Sequence, residues 1–259
     1  MLTPLMREIS AGLGAAVALG VAVGGCAYAA LWPGSQIFGH ALIAPRIDSG
    51  RPGELALTFD DGPNPAWTPQ LLETLAAYNV HATFFLVGRY AQAQPELVRR
   101  IVTAGHLIGN HSWSHPSLAI ATAARVRQEL ARTSDTLEQI TGQSVRWFRP
   151  PFGARRPAVL KIARSLGMTP VLWNAMTNDW SEPLPNHIAQ RLAAKIDRNH
   201  RHGWATNIVL HDGGHLEPSA NRGASIAAAG QLLARYAATH RFVTLDAWSN
   251  DHDGPTTQP

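Results

Sequence analysis

Beyond residue 54 the chain alternates short apolar runs with helical patterns, and this alternation restricts the fold more than any other feature. Seven runs have the length and composition of buried strands: 55–59, 83–87, 106–109, 145–148, 169–173, 207–210 and 241–245. Six stretches between them carry apolar residues at helical spacing: 68–79, 95–104, 122–140, 157–166, 187–199 and 225–240. Strands that alternate with helices pair in parallel, so an α/β fold with a parallel sheet is predicted.

A closed or nearly closed barrel would gather its functional side chains just after the strands, where the βα loops form one mouth. The polar residues of this sequence are distributed in that way. Five loops carry them: Asp60 and Asp61 follow the first strand, His111 and His115 the third, Arg149 the fourth, Trp173 to Trp180 the fifth, and His211 with Asp212 the sixth. A single site at one end of the barrel is therefore predicted.

Asp60 and Asp61 are adjacent carboxylates at the end of the first strand. Two like charges so close disfavour joint ionisation. Because successive side chains of a strand point in different directions, the pair is expected to divide its work, with one carboxylate on a metal and the other free for proton transfer. The alternative for Asp60 is a turn-forming residue before Gly62.

His111 and His115 stand four residues apart, a spacing that places two imidazoles on one side of a helical turn. With Asp61 from another loop they make a His₂–carboxylate set, which is typical of catalytic zinc. Asp60 is then the base that takes a proton from water, and His211 is the acid, because imidazole titrates near working pH. The alternatives are a solvent-facing or internally satisfied histidine pair and a purely structural His211.

Composition excludes several other functions. The net charge is +4 and the pI about 9.7, yet no run of Lys and Arg interleaves with aromatic residues, so nucleic-acid binding is not expected. Neither a Gly-x-Ser-x-Gly elbow nor a phosphate-binding Gly-rich loop occurs, which disfavours serine hydrolase and nucleotide chemistry. Cys26 is the single cysteine, so an internal disulfide and a cysteine zinc site are both excluded.

Residues 11–32 contain no charged residue and are long enough to span a bilayer. An uncleaved membrane anchor is favoured over a signal peptide cut near Ala27-Tyr28-Ala29 and over a lipoprotein signal at Cys26. Export is expected, with the protein either membrane-anchored or secreted. The predicted division is a signal or anchor segment at 1–32, a linker or draped arm at 33–53, a catalytic domain at 54–248 and a flexible tail at 249–259.

Four motifs, in order, resemble those of the polysaccharide deacetylases of carbohydrate esterase family 4, which share the NodB homology domain. They are Thr58-Phe59-Asp60-Asp61-Gly62, His111-Ser112-Trp113-Ser114-His115, Arg149-Pro150-Pro151-Phe152-Gly153 and Leu210-His211. The resemblance covers residues 54 to 248. It implies a distorted (β/α)₇ barrel and a divalent metal, commonly zinc with Co²⁺, Ni²⁺ or Mn²⁺ as alternatives.

The resemblance also implies a role for each matching residue. Asp61, His111 and His115 would hold the metal, Asp60 would be the general base and His211 the general acid. Arg149 would fix Asp60, and Asp179 would pair with His211. A backbone N–H near Phe152 would polarise the acyl oxygen, and Trp180 and Leu210 would shape the pocket for the acetyl methyl.

Two positions depart from the family pattern. Met176 stands where the fourth motif often has its first Asp, and Phe152 stands where Tyr is common. Both changes concern substrate preference rather than the core reaction. His215 and Arg222, shortly after His211, are placed either along the groove or in a mobile loop.

The function implied is the removal of N-acetyl groups from N-acetylglucosamine units of a glycan. Peptidoglycan is the leading substrate, ahead of chitin oligosaccharides and O-acetyl esters. The N-terminal segment implies contact with a membrane, and no obligate protein partner is evident. The rival interpretations are hydrolysis of a non-sugar C–N bond and a non-catalytic glycan-binding module.

Overall fold

The computed structural model describes residues 24–48 and 52–252. Eight strands form its sheet: β1 (Gly53–Gly62), β2 (Thr83–Leu86), β3 (Leu107–Asn110), β4 (Trp147–Phe148), β5 (Thr169–Pro170), β6 (Ala175–Met176), β7 (Thr206–His211) and β8 (His240–Phe242). Within residues 52–252, seven α-helices lie between the strands: α1 (Thr68–Ala77), α2 (Gly88–Ala93), α3 (Pro95–Thr103), α4 (Ala123–Thr141), α5 (Pro157–Ser165), α6 (Pro185–Arg201) and α7 (Gly223–Tyr236).

The strands pair in parallel in the order β5–β4–β3–β2–β1–β7–β6, and β8 pairs with the start of β1. The predicted α/β fold, a distorted (β/α)₇ barrel, is confirmed as a parallel sheet curved into a half-barrel. All six expected helices are present within a few residues of their expected ends. The sequence patterns missed α2 and the short strand β6, because both are too brief to show a period.

The two faces of the central strand β1 carry different residues. Leu55, Leu57 and Phe59 belong to the main core, which lies between the sheet and the helices. Ala56, Thr58 and Asp60 alternate with them and face the inside of the half-barrel. The inner side is apolar near its floor, where Ala56 packs in a second cluster, and becomes polar towards the carboxyl ends of the strands.

The segment predicted as a linker or draped arm packs against the barrel. Leu42 bridges in parallel to Val171 beside β5, and Arg46 bridges to Trp204 just before β7. Ala41 and Leu42 are buried. Of the two alternatives predicted for residues 33–53, this part is therefore an arm that lies on the barrel and contributes to its core. At the other end, a 3₁₀ helix over Leu245–His252 extends into the predicted tail.

Arg155 fastens the start of this arm. Its guanidinium is fully buried and donates to the carbonyl oxygens of Trp32 at 2.8 Å and Ser35 at 2.6 Å. The same group reaches the carbonyl of Gly153, in the third motif, at 3.1 Å. One side chain thus joins the N-terminal arm to the mouth of the barrel.

Most of the hydrophobic segment 11–32 lies outside the described residues, and so do the features on which the anchor and signal hypotheses depend. Residues 24–31 are helical, and Cys26 is exposed there. In the part of the chain that the structure describes, no helix is both long enough and apolar enough to cross a membrane.

Candidate active site and metal centre

A bulge in β1 aims both aspartates into the mouth of the half-barrel. The register with β2 shifts between Asp60 and Gly62, which leaves Asp61 as the extra residue, and Asp61 adopts a left-handed φ of 70°. A bulge re-aims one side chain relative to the normal alternation. The expectation that the two carboxylates point apart is therefore wrong: Oδ1 of Asp61 and Oδ2 of Asp60 lie 3.5 and 3.9 Å from the same Nε2 of His111.

The bulge requires a close approach from the opposite loop. A Cβ at Gly213 would lie 2.1 Å from the carbonyl oxygen of Asp61, so only glycine fits there. The loop that follows β7 therefore packs directly on the loop that follows β1.

His111 and His115 meet through a loop, and the expected helical turn is absent at these residues. Ser112 and His115 have left-handed φ values of 65° and 59°. Asn110 Oδ1 accepts from the backbone N–H of Ser112 at 2.8 Å, and Ser112 Oγ accepts from that of His115 at 3.0 Å. These hydrogen bonds, rather than helical periodicity, bring the two rings to a centroid distance of 4.9 Å.

The side chains of Asp61, His111 and His115 form a buried donor set whose ligand atoms all lie within 4.8 Å of one another. His111 Nδ1 lies 2.8 Å from the carbonyl oxygen of Arg149, which makes Nδ1 the protonated nitrogen and leaves Nε2 with a lone pair. That lone pair faces Asp61 Oδ1, which is buried and has no hydrogen bond. Acceptors that face one another require a cation between them, so the donor set fits a divalent metal.

Charge within the cluster favours an ionised Asp61. Burial raises the pKa of this carboxyl, but the neighbouring imidazoles of His111, His115 and His215 outweigh burial and hold the pKa well below its usual range. Burial has the opposite effect on His115: it lowers the pKa of the ring and so favours the neutral imidazole that a metal requires.

Arg149 fixes Asp60 from the floor of the site. Its buried guanidinium donates to Asp60 Oδ1 and to Thr58 Oγ1, each at 2.7 Å, and to Asn207 Oδ1 at 3.3 Å. The ring of Phe85 lies under it at 4.1 Å. One oxygen of Asp60 is thereby occupied, and Oδ2 is left towards His111.

His211 is the partner of Asp60 in the pairing of β1 with β7, so both side chains enter the site from the same level. Its Nδ1 lies 2.9 Å from Asp179 Oδ1, and its backbone N–H donates to Asp179 Oδ2 at 2.8 Å. Ser225 Oγ also donates to Asp179 Oδ2, at 2.7 Å. Burial lowers the pKa of His211, but the charge and hydrogen bond of Asp179 prevail, with help from Asp61 and Asp60, and raise it to about 9.

Two exposed aromatic residues form the rim. The ring of Phe152 meets His115 edge-on at a centroid distance of 4.6 Å, and Trp180 meets His211 in the same manner at 5.1 Å. Phe152 also has a left-handed φ, of 59°. Both rings are about half exposed, which leaves their faces accessible to a ligand.

The prediction that Leu210 lines this pocket is wrong. Leu210 is fully buried in the core between sheet and helices, and it pairs with Phe59 on that face. Val209 instead pairs with Thr58 and shares the inner face with His211. Strand alternation could have identified this from the sequence once His211 was placed.

Sequence reasoning missed one residue that supports the site, Glu129, and left the position of His215 and Arg222 open. Glu129 of α4 is buried and accepts from both the backbone N–H and the hydroxyl of Ser114, at 2.8 Å each. His215 lies against His115 with ring centroids 4.6 Å apart. Of the two alternatives for His215, the structure therefore shows the position along the groove. Arg222 fixes the same loop by donating to the carbonyl oxygen of Gly213 at 2.6 Å.

The fold and this site have counterparts among known proteins. The family model for polysaccharide deacetylases matches residues 48–171. A chitooligosaccharide deacetylase from Sinorhizobium fredii is 37% identical over 182 residues, which cover 70% of this chain and 81% of the relative.

Two solved structures have the same architecture. A peptidoglycan N-acetylglucosamine deacetylase in complex with 4-naphthalen-1-yl-N-oxidanyl-benzamide superposes with a TM-score of 0.69 at 32% identity, covering 80% of this chain and 91% of that chain. A family 4 pseudoenzyme from Bacillus anthracis gives a TM-score of 0.68 at 27% identity, covering 78% and 66%. The chain belongs to the polysaccharide deacetylases of carbohydrate esterase family 4, a family of metal-dependent hydrolases of N-acetyl amide bonds.

Proposed function

We propose that this protein is a zinc-dependent deacetylase that removes N-acetyl groups from N-acetylglucosamine units of a cell-envelope glycan. The observation that carries the proposal is the meeting of three groups in one mouth: the donor set of Asp61, His111 and His115, the Arg149-bound Asp60, and the Asp179-bound His211. The Bacillus anthracis relative has the same fold and is a pseudoenzyme, so the fold alone does not indicate catalysis. The assignment of catalysis therefore depends on these three groups of side chains.

A divalent metal held by Asp61, His111 and His115 would supply positive charge that polarises the acetamide and acidifies water. Zinc suits one carboxylate and two imidazoles, while Co²⁺, Ni²⁺ and Mn²⁺ are alternatives that the same ligands accept.

Asp60 is the general base of this proposal. Arg149 occupies Oδ1, so Oδ2 is the atom that accepts a proton from the attacking water. The oxygen of that water forms a bond to the acetyl carbonyl carbon. The backbone N–H of Phe152 is assigned to the developing oxyanion.

His211 is the general acid. Asp179 occupies Nδ1, so Nε2 is the nitrogen that delivers a proton to the departing amine as the C–N bond breaks. The products are acetate and a glucosamine unit. Asp179 acts on the substrate only through His211 and is therefore a positioning residue.

The glycan is assigned from the relatives and from the rim. Phe152 and Trp180 offer exposed rings on which sugar faces stack, and matched proteins act on chitooligosaccharide or peptidoglycan. We favour peptidoglycan, because the uncharged segment 11–32 would export the protein to the envelope and keep it anchored or release it there.

Asp60→Asn tests the proposal directly. Acetate release from chitooligosaccharides and from purified peptidoglycan should fall by at least ~10²-fold, since a positioned base contributes about that much or more. Zinc content, measured by mass spectrometry of the metal, should stay at the wild-type level because the three ligands are intact.

Asp135→Asn, an exposed carboxylate on α4, is the matched control and should leave both readings unchanged. Loss of zinc with activity restored by added zinc would mean that Asp60 and Asp61 have exchanged roles. If the zinc-loaded wild-type protein releases acetate from small amides only, the protein is a non-sugar amidase. If it releases no acetate from any substrate, the protein is a glycan-binding module.

A further inference from the structure

The two histidines of the donor set are held in different ways. His111 has the usual support of a metal ligand, because its Nδ1 lies 2.8 Å from the carbonyl oxygen of Arg149. The Nδ1 of His115 is buried and has no hydrogen-bond partner. The Nε2 of His115 lies 3.1 Å from Asp61 Oδ1 within the donor set, so on the outer side of the ring only contacts other than hydrogen bonds orient it.

Two rings enclose His115. The imidazole of His215 stacks on it at a centroid distance of 4.6 Å and an interplanar angle of 25°. The ring of Phe152 meets it edge-on, at 4.6 Å and 75°. His215 and Phe152 also contact each other, at 5.3 Å, so they form a corner in which the ring of His115 is confined.

The backbone of His215 is anchored independently of its side chain. Its carbonyl oxygen accepts from Arg89 at 2.6 Å and from the hydroxyl of Tyr90 at 2.8 Å. The guanidinium of Arg89 lies over the ring of Tyr90, which fixes the two donors together. Because the backbone holds His215 in place, its imidazole can stack on His115 without a hydrogen bond from the His215 side chain.

The ring nitrogens of His215 are not engaged as ligands. Nδ1 lies 3.8 Å from Asp61 Oδ2, which is beyond hydrogen-bond distance, and His215 does not belong to the set of donors that converge within 4.8 Å. The contact with His115 is face to face, so the part of His215 that acts is its flat ring.

We propose that His215 is a positioning residue that sets the metal affinity of the site by stacking on His115 in place of the missing hydrogen bond. This rests on the proposed function only in requiring that the donor set binds a metal. Removing the partner that orients a metal-ligating histidine typically weakens binding 10–100-fold, which is the effect expected here.

The test is a competition between the full-length protein and a chromophoric chelator for Zn²⁺. His215→Ala should bind Zn²⁺ roughly 10–100-fold more weakly than wild type, whereas His215→Phe, which keeps a flat ring, should stay close to wild type. Leu216→Ala changes an exposed neighbour on the same loop and should have no effect. The absorption spectrum of the Co²⁺-loaded protein should be the same for wild type and His215→Phe.

Three results would overturn the inference. Zn²⁺ binding as weak in His215→Phe as in His215→Ala, or an altered Co²⁺ spectrum in His215→Phe, would mean that a ring nitrogen is itself a ligand. An unchanged affinity in His215→Ala would mean that His115 needs no such support. Failure of the wild-type protein to bind Zn²⁺ would instead contradict the proposed function, so the two ideas fail separately.

Discussion

Asp179→Asn isolates the charge that keeps His211 protonated. In the folded protein the pKa of His211 is about 9, against an ordinary value of 6.5. That difference corresponds to about 3 kcal/mol in favour of the imidazolium. Asp179 is the foremost of the groups that raise this pKa, ahead of Asp61 and Asp60, whose influence a bound metal would oppose. The variant should lower the pKa of His211 by roughly one to two units.

The sign of the effect on stability follows from the raised pKa. The stabilisation is fully present below pH 6.5 and is lost as pH rises through about 9. Asp179→Asn should therefore lower the free energy of unfolding by about 1.4–2.7 kcal/mol at pH 6, since each pKa unit is worth about 1.4 kcal/mol, and by much less at pH 10. Urea denaturation at the two pH values measures this difference.

Catalysis should report the same shift. If His211 must be protonated to assist the departing amine, kcat on a soluble chitooligosaccharide falls above its pKa. The alkaline limb of the pH profile should therefore move down by roughly one to two pH units in the zinc-loaded variant. Proton NMR titration of the His211 ring, assigned with His211→Gln, supplies an independent pKa.

Asp135→Asn again serves as the control, since it removes one exposed carboxylate of the same type without touching the site. A variant whose NMR titration and alkaline limb both coincide with those of wild type would refute the assignment of Asp179. A shifted NMR titration with an unshifted limb would show that His211 is not the general acid.

Two further predictions concern buried groups outside the reaction. Arg155→Met should lower the free energy of unfolding by about 3 kcal/mol and expose the arm at residues 30–35 to protease, because the buried carbonyls that Arg155 serves lose charged donors; Arg100→Met, on an exposed face of α3, should do neither. Burial raises the pKa of Asp212 to about 7 in the folded chain, against an ordinary 3.8. The contribution of Asp212 to the free energy of unfolding is therefore most favourable below pH 3.8, and it decreases as pH rises to 7. In metal-free protein, Asp212→Asn should remove this decrease in the free energy of unfolding, which is worth about 4 kcal/mol. Urea denaturation between pH 4 and 8 measures it, and the same dependence of the free energy of unfolding on pH in both proteins would contradict the prediction.

The part of the site that the sequence could predict is the part encoded in strand position. Asp60, His111 and His211 each follow an apolar run, and the carboxyl ends of parallel strands necessarily meet at one edge. Hydrophobic periodicity is a local signal, so the order of strands and helices could be read from it directly. The candidate metal ligands could be recognised for the same reason, because each belongs to a short contiguous motif.

The directions of the site side chains, and the contacts that hold them, could not be predicted in this way. The bulge that turns Asp61 towards His111 depends on register with β2, and the loop that joins His111 to His115 depends on two left-handed residues. Neither leaves a periodic trace. A one-residue displacement likewise put Leu210 on the wrong face, because alternation assigns a face only when one residue has already been placed.

By itself the sequence determined the fold class, the mouth of the barrel and the three candidate ligands, since all of these depend on the local succession of apolar and polar residues. Tertiary structure alone decided the docking of the arm by Arg155 and the stacking of His215 on His115. These contacts join residues 100 or more positions apart, and the free energy that selects them comes from packing and buried hydrogen bonds between segments that carry no shared pattern.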